Sequence, residues 1–233
     1  MSKRPRSSDE VSVNTSLLSW LESSGAQGID GLHIAADGDG GIGAFARHAI
    51  QQGQLIAAIP QRCVLSVHAA EESALGRAVR AAAKRLDSAH AALLTDEVLL
   101  WIYMAVGRMD PAHPWHAYLA SLPSQSPDPA CWPAALRDEL NGTPVGASVR
   151  AAVDAVHAVH SGLVRGLSPE LRGLVPEGSL NSESLLWARG AAATACPTRR
   201  PVHGLIRPRT AHASPRRYAA QPLLPCAPPR LIR

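Results

Sequence analysis

Apolar and polar positions change rhythm twice along this chain. Residues 14–24 carry an apolar face of Leu17, Leu18, Trp20 and Leu21 behind capping candidates Asn14, Thr15 and Ser16, a helix signature. From residue 31 the runs become short and extended. Residues 31–36 (GLHIAA), 43–46 (GAFA), 55–59 (LIAAI, closed by Pro60) and 64–67 (VLSV) are strand candidates, and Gln51-Gln52-Gly53-Gln54 is a turn between two of them. From residue 71 helical spacing takes over. Helices are expected at 72–86, 95–108, 115–121, 132–140, 146–166 and 182–193, with Asn181 or Ser182 capping the last. In the second of these, Val98, Leu99, Ile102, Tyr103 and Val106 make a wide apolar stripe. Beyond Thr194 prolines recur every few residues and no period survives.

This order of textures predicts an α+β protein in four parts. Residues 1–13 are an expected disordered start, 14–70 a short-stranded unit, 71–194 an all-helical region, and 195–233 an irregular Arg/Pro-rich tail. The chain has 233 residues and is 46% hydrophobic but only 4% aromatic, so Ala, Leu and Val must fill most of the core.

Charge refines the division. The formal net charge of +4 comes from the tail: residues 196–233 hold eight arginines and no acid, and no acid follows Glu183. The preceding part is mildly acidic. The tail has no aromatic interleaving or groove-reading element, so weak, salt-sensitive attraction is the most expected toward nucleic acid. Cys63, Cys131, Cys196 and Cys226 are too dispersed for a zinc motif, which fits reduced thiols in an intracellular protein. Cytoplasm, nucleus and plastid are not distinguished. There is no apolar run long enough to span a bilayer, and no membrane partner is expected. His157 with His160, and His113 and His116 with Asp110, lack completing ligands. They are expected on a helix face and at a helix–helix corner, and no metal site is assigned. Trp101, Trp115, Trp132 and Trp187 are expected to pack, and Cys63 to be a core residue.

One stretch carries candidate chemistry. Gly38-x-Gly40-x-x-Gly43 satisfies the dinucleotide fingerprint, which also needs a following helix, further β-α alternation and an acid about 20 residues on. No acid lies between Asp39 and Glu71, and residues 72–194 are helical almost throughout. A ligand-free glycine turn is compatible with the same residues.

The longer stretch Gly41-Ile42-Gly43-Ala44-Phe45-Ala46 … Ile50 … Gly53 … Ile56 … Ile59-Pro60 resembles the opening of a SET methyltransferase domain. The nearest likeness is to the subgroup of the Rubisco large-subunit lysine methyltransferase, written G-[LIF]-G-x-x-A-x-x-x-I-x-x-G-x-x-[IL]-x-x-[IV]-P. Three further matches follow in the same order. Trp115-His-Ala-Tyr118-Leu119-Ala-Ser-Leu122-Pro123 is similar to W-x-x-Y-[LI]-x-x-L-P. Trp132 to Leu140-Asn-Gly142-Thr143 is similar to W-x-x-x-x-x-x-x-L-x-G-T. Trp187-Ala188 to Thr194 is similar to the start of W-A-x-x-x-V-x-[ST]-R. The resemblance spans residues 16–194.

It implies a short-stranded SET β-structure with a large helical insert, S-adenosylmethionine as cofactor, and a protein lysine side chain as methyl acceptor. Gly40, Gly41, Ile42 and Gly43 are then the cofactor-binding candidates, because glycines let backbone groups approach a ligand closely. The acid that relatives often have at the position of Gly40 is missing, which leaves backbone contact there. Thr194 aligns beside the substrate channel, and a helix-end role suits it equally. Trp187 is implied to be a buried anchor.

The same likeness exposes a gap. The family's N-H-x-x-x-[DN] motif is absent, since no Asn follows Asn181, and the arginine expected after Thr194 is Ala195. The only tail tyrosine, Tyr218, sits in PRRYAAQ, unlike the family's catalytic tyrosine. No catalytic residue is assigned. Residues from about 195 onward are expected not to be ancestral SET sequence, as when GC-rich DNA is read in another frame or through an intron. The expectation is an incomplete SET-type protein-lysine N-methyltransferase. The alternative is a non-catalytic helical interaction module with a basic tail.

Overall fold

A computed structural model describes residues 8–36 and 42–195. Helix α1 spans Ser8–Ser23, so residues 8–13, expected to be disordered, are its beginning. The sequence Ser8-Asp9-Glu10 suits such a start, since acids near a helix N-terminus oppose its dipole. The helix ends in a Schellman motif: Gly25 has φ 79°, its N–H donates to Glu22 O at 2.8 Å, and Ala26 N–H donates to Leu21 O at 3.0 Å.

Strands β1 (Leu32–Ala36) and β2 (Ile42–Ala46) pair antiparallel, with Leu32 opposite Ala46 and Ala36 opposite Ile42. Arg47 closes the open end of the hairpin. Its N–H donates to Gly31 O at 2.9 Å and its Nε to Leu32 O at 2.8 Å.

The strand expectations at 55–59 and 64–67 are corrected here. Segment 55–59 makes one antiparallel bridge, Ala58 with Gln27, and no ladder; residues 61–63 form a 3-10 turn and Ser66 caps a helix. Extended apolar sequence becomes a strand only when a neighbour supplies hydrogen bonds along its length. Among the described residues only Gln27 does so for 55–59.

The helical region follows as α2 (Val67–Glu72), α3 (Ala74–Ala83), α4 (Ser88–Ala91), α5 (Asp96–Met109), α6 (His116–Ser121), α7 (Ala134–Asp138), α8 (Pro144–Ala158), α9 (Arg165–Leu171) and α10 (Ser182–Ala195). A π-helical stretch, Val159–Val164, joins α8 to α9 without a break. The helix expected at 72–86 is two helices, because Ser73 ends α2 and caps α3: its hydroxyl donates to Ala70 O at 2.6 Å and accepts from Gly76 N–H at 2.9 Å. The helix expected at 146–166 runs on to Leu171 through Pro169. The helix expected at 132–140 is confined to five residues.

Helix α5 is the centre of the molecule. Val98, Leu99, Ile102, Tyr103, Met104, Ala105 and Val106 are all buried, more than the one stripe expected, because α2, α3, α6 and α10 pack on it from different sides. Val79, Leu119, Val156, Leu163, Leu167, Leu171 and Leu185 complete this core. Before residue 70 the one fully buried apolar side chain among the described residues is Ile29, so the strand region contributes little to it. Trp20 of α1 packs at a tilt against Trp115, 5.5 Å between ring centroids, and ties the first helix to the core. The protein is thus α+β, with a two-stranded sheet beside a helical body. Among the described residues no helix is long and apolar enough to cross a membrane.

Candidate functional site

The glycine-rich stretch joins the two strands of the β1–β2 hairpin. Gly40 and Gly41 lie outside the described residues. Ile42 opens β2 opposite Ala36, and Gly43 follows opposite Ala35. A dinucleotide turn connects a strand to a helix and onward to a parallel strand. Here the residues after Gly43 continue an antiparallel strand, so the fingerprint does not mark a Rossmann unit. A Cβ on Gly43 would stand 3.2 Å from the Phe45 ring, closer than side chains normally sit. Phe45 is in turn packed on His33 across the ladder, 5.6 Å between centroids. Glycine at 43 therefore leaves room for that ring on the hairpin.

Thr194 lies in the last turn of α10 and its side chain is outside the described residues. Helix α10 packs mainly on α5, whereas the hairpin packs on the 3-10 turn at 29–31, and no substantial packing joins β2 to α10. Ala195, where a carboxylate-binding arginine would stand, ends α10. Of the four cofactor-binding candidates, Ile42 and Gly43 lie among the described residues, at the start of β2.

The other motif residues are structural. Trp187 is buried on α10, its Nε1 donates to Pro123 O at 2.9 Å, and Arg108 lies over its ring at 4.1 Å. Burial there lowers the Arg108 pKa, with Glu183 opposing the shift. Trp115 and Leu119 are buried on the α5–α6 corner. Trp132, expected to pack, is 37% exposed, because it lies between the 3-10 turn at 129–131 and the short α7 rather than on a long helix. Cys63 is half-buried rather than a core residue.

A polar cluster that sequence reasoning missed fixes α10 to the preceding loop. Arg189 pairs with Asp128 at 2.7 Å, and the Cys131 thiol donates to Leu186 O at 3.2 Å. Ser126 is buried, and a Cβ on Gly190 would stand 2.4 Å from its Oγ. Burial raises the Cys131 pKa, which keeps it a thiol and argues against a nucleophile. Burial also raises the Tyr103 and Tyr118 pKa values, so both phenols are neutral. No local pattern reveals this cluster, since its contacts span 55 positions for Cys131 with Leu186 and 61 for Asp128 with Arg189.

His113 is at the expected helix–helix corner, its ring edge-on to Tyr103 at 4.5 Å. His157 is on the exposed face of α8 and His160 is partly buried in the π stretch. Among the described residues no three His, Cys, Asp or Glu side chains are grouped to hold a metal ion. No protein-family model matches the chain, and no curated protein matches it significantly.

Proposed function

We propose that this chain is an incomplete SET-type, S-adenosylmethionine-dependent protein-lysine N-methyltransferase that retains the cofactor-side glycine turn without the catalytic half. The ordered series of four motif matches over residues 16–194 carries the reading. Three features of the fold support it: a short hairpin whose second strand begins at Ile42 and Gly43, a following segment that among the described residues makes one bridge, and a helical region whose motif tryptophans Trp115 and Trp187 are buried. Methyl transfer needs the lysine amine aimed in line at the methyl group in a water-poor channel. Residues 1–195 contain no Asn-His motif and no tyrosine placed for that task, so binding is expected without turnover.

Titration calorimetry of the full chain with S-adenosylmethionine tests this. A micromolar dissociation constant that Gly43→Val weakens about tenfold, roughly 1.4 kcal/mol, supports the cofactor site. No heat from a chain shown to be folded by circular dichroism sinks it. Lysine methylation by the chain alone would show that it is not incomplete.

One observation favours the second reading, a non-catalytic helical interaction module. The buried core is built almost wholly from residues 70–191, and no described side chain of the hairpin belongs to it. Absence of cofactor binding together with a folded helical body is the outcome that reading requires.

A further inference from the structure

Helix α6 joins α1 to the helical body. Of the named elements it packs substantially on two, α5 and α1, and α1 packs substantially on α6 alone. Trp115, at the N-cap of α6, and Leu119 within it are buried, and Trp20 of α1 packs against the Trp115 ring. One residue holds the turn by which α6 leaves α5. His113 N–H donates to Asp110 O at 3.0 Å, its Nδ1 accepts Trp115 N–H at 3.2 Å, and its ring lies against the α5 backbone at Gly107. The bond to Trp115 spans two residues, as in an Asx turn. Nδ1 can accept only while the ring is neutral, with its proton on Nε2. Nε2 is buried and has no partner among the described residues. Protonation at this place therefore loses the Trp115 bond and gains none.

We propose that His113 is an acid-sensitive latch: a proton added to Nδ1 breaks the bond to Trp115 N–H and releases α6 from α5, together with α1, while the rest of the helical body stays folded. This does not depend on the methyltransferase reading. The surroundings of the ring support it. Tyr103 of α5 meets it edge-on at 4.5 Å between centroids and is a neutral phenol. From α1, the neighbour of Trp115 is the uncharged Trp20. Burial is the largest influence on the His113 pKa and lowers it; Asp110 opposes this and His116 adds to it. Release exposes the ring and removes the burial penalty, so protons favour the released form. His116 does not share the role. Its Nδ1 sits 3.1 Å from Gly107 O and keeps that bond as a donor in either charge state. His160, also held low chiefly by burial, lies in the π-helical stretch, on which neither α1 nor α6 packs substantially.

Native-state hydrogen exchange of the full chain in low urea, at pH 7.5 and pH 5.5 and corrected for intrinsic exchange rates, is the test. Residues 14–24 and 112–122 should share one opening that responds less to urea than the opening of residues 98–106 in α5. Its equilibrium constant should rise up to about tenfold from pH 7.5 to pH 5.5, the gain for a histidine of ordinary pKa that binds its proton only in the released form. His113→Asn offers an oxygen to the Trp115 N–H and does not titrate, so it should keep the opening and remove its pH dependence. Exchange of 14–24 and 112–122 only through the α5 opening overturns the proposal. So do separate openings of the two segments, a shared opening that ignores pH, or a pH dependence that survives in His113→Asn. If that variant does not fold, the ring proton resonances of His113 in the native chain decide: titration at the ordinary value, near pH 6.5, overturns the latch, and titration displaced below it upholds the latch.

Discussion

His113 shows how one side chain can tie stability to pH. Its Nδ1 accepts the Trp115 N–H at 3.2 Å, which assigns the neutral-ring proton to Nε2, a buried atom with no partner among the described residues. Protonation would put a second N–H against that of Trp115. Burial lowers the His113 pKa, opposed by Asp110 and reinforced by His116. Burial also lowers that of His160, helped by Arg165 and His157. A histidine pKa lowered by folding means that the unfolded chain binds more protons as pH drops through the unperturbed value. Stability should thus be fully present above about pH 6.5 and decline below it. Urea midpoints measured from pH 7.5 to pH 5 should show this slope, and His113→Phe should flatten part of it. Gly107 explains why the histidine fits. A Cβ there would stand 2.6 Å from His113 Nδ1 and 2.6 Å from Leu119 Cδ1. Gly107→Ala should destabilise by about 1–3 kcal/mol in denaturant unfolding, through overpacking.

At the scale of the element, two helix starts share one device. Ser73 caps α3 and Thr143 caps α8, each accepting the N–H of a glycine three residues on, Gly76 at 2.9 Å and Gly146 at 3.0 Å. A Cβ on either glycine would stand 2.0 Å from a backbone carbonyl of the preceding segment, Ala70 O or Leu140 O. Alanine normally improves a helix over glycine by about 1 kcal/mol. Here Gly76→Ala and Gly146→Ala should instead destabilise, a reversal of sign that thermal unfolding would reveal. Ser73→Ala should cost about 1 kcal/mol through the lost cap. The capping of α10 was legible directly. Asn181 Oδ1 accepts Ser184 N–H at 2.8 Å, and Ser184 Oγ accepts Asn181 N–H at 3.0 Å. The split at Ser73 was not, because apolar spacing continues across it and only the packing of α2 against α3 shows that the axis turns.

Over the whole molecule, stability and candidate function reside in different parts. Leu99 and Leu163 are fully buried in the helical body, whereas Leu55 lies exposed on the segment that follows the hairpin. Leu99→Ala or Leu163→Ala should lower global stability by about 2–5 kcal/mol. Leu55→Ala should change it by no more than about 0.5 kcal/mol, since an exposed side chain leaves no cavity. Equilibrium denaturation of the three variants checks the contrast. Ile42 and Gly43 begin β2, and no described side chain of the hairpin belongs to the core, so a substitution at Gly43 need not unfold the protein.

The sequence by itself determined what depends on near neighbours. It determined the helical character of residues 71–194, the cap at Asn181, the corner at Asp110–Trp115, the extended runs on either side of the glycines, and burial of Trp115 and Trp187. Each follows from periodicity or turn chemistry within a few residues, or from a motif with fixed spacing. Tertiary structure alone decided which apolar runs found partners. Residues 31–36 and 42–46 have the same extended character as 55–59, and only the first two became a ladder, because strand formation requires a second chain segment that spacing along one segment cannot supply. It likewise decided that α5 is buried over most of its circumference between Val98 and Gly107 and that Arg189 meets Asp128 across 61 positions. Those contacts depend on where distant segments come to lie, and no local pattern encodes that.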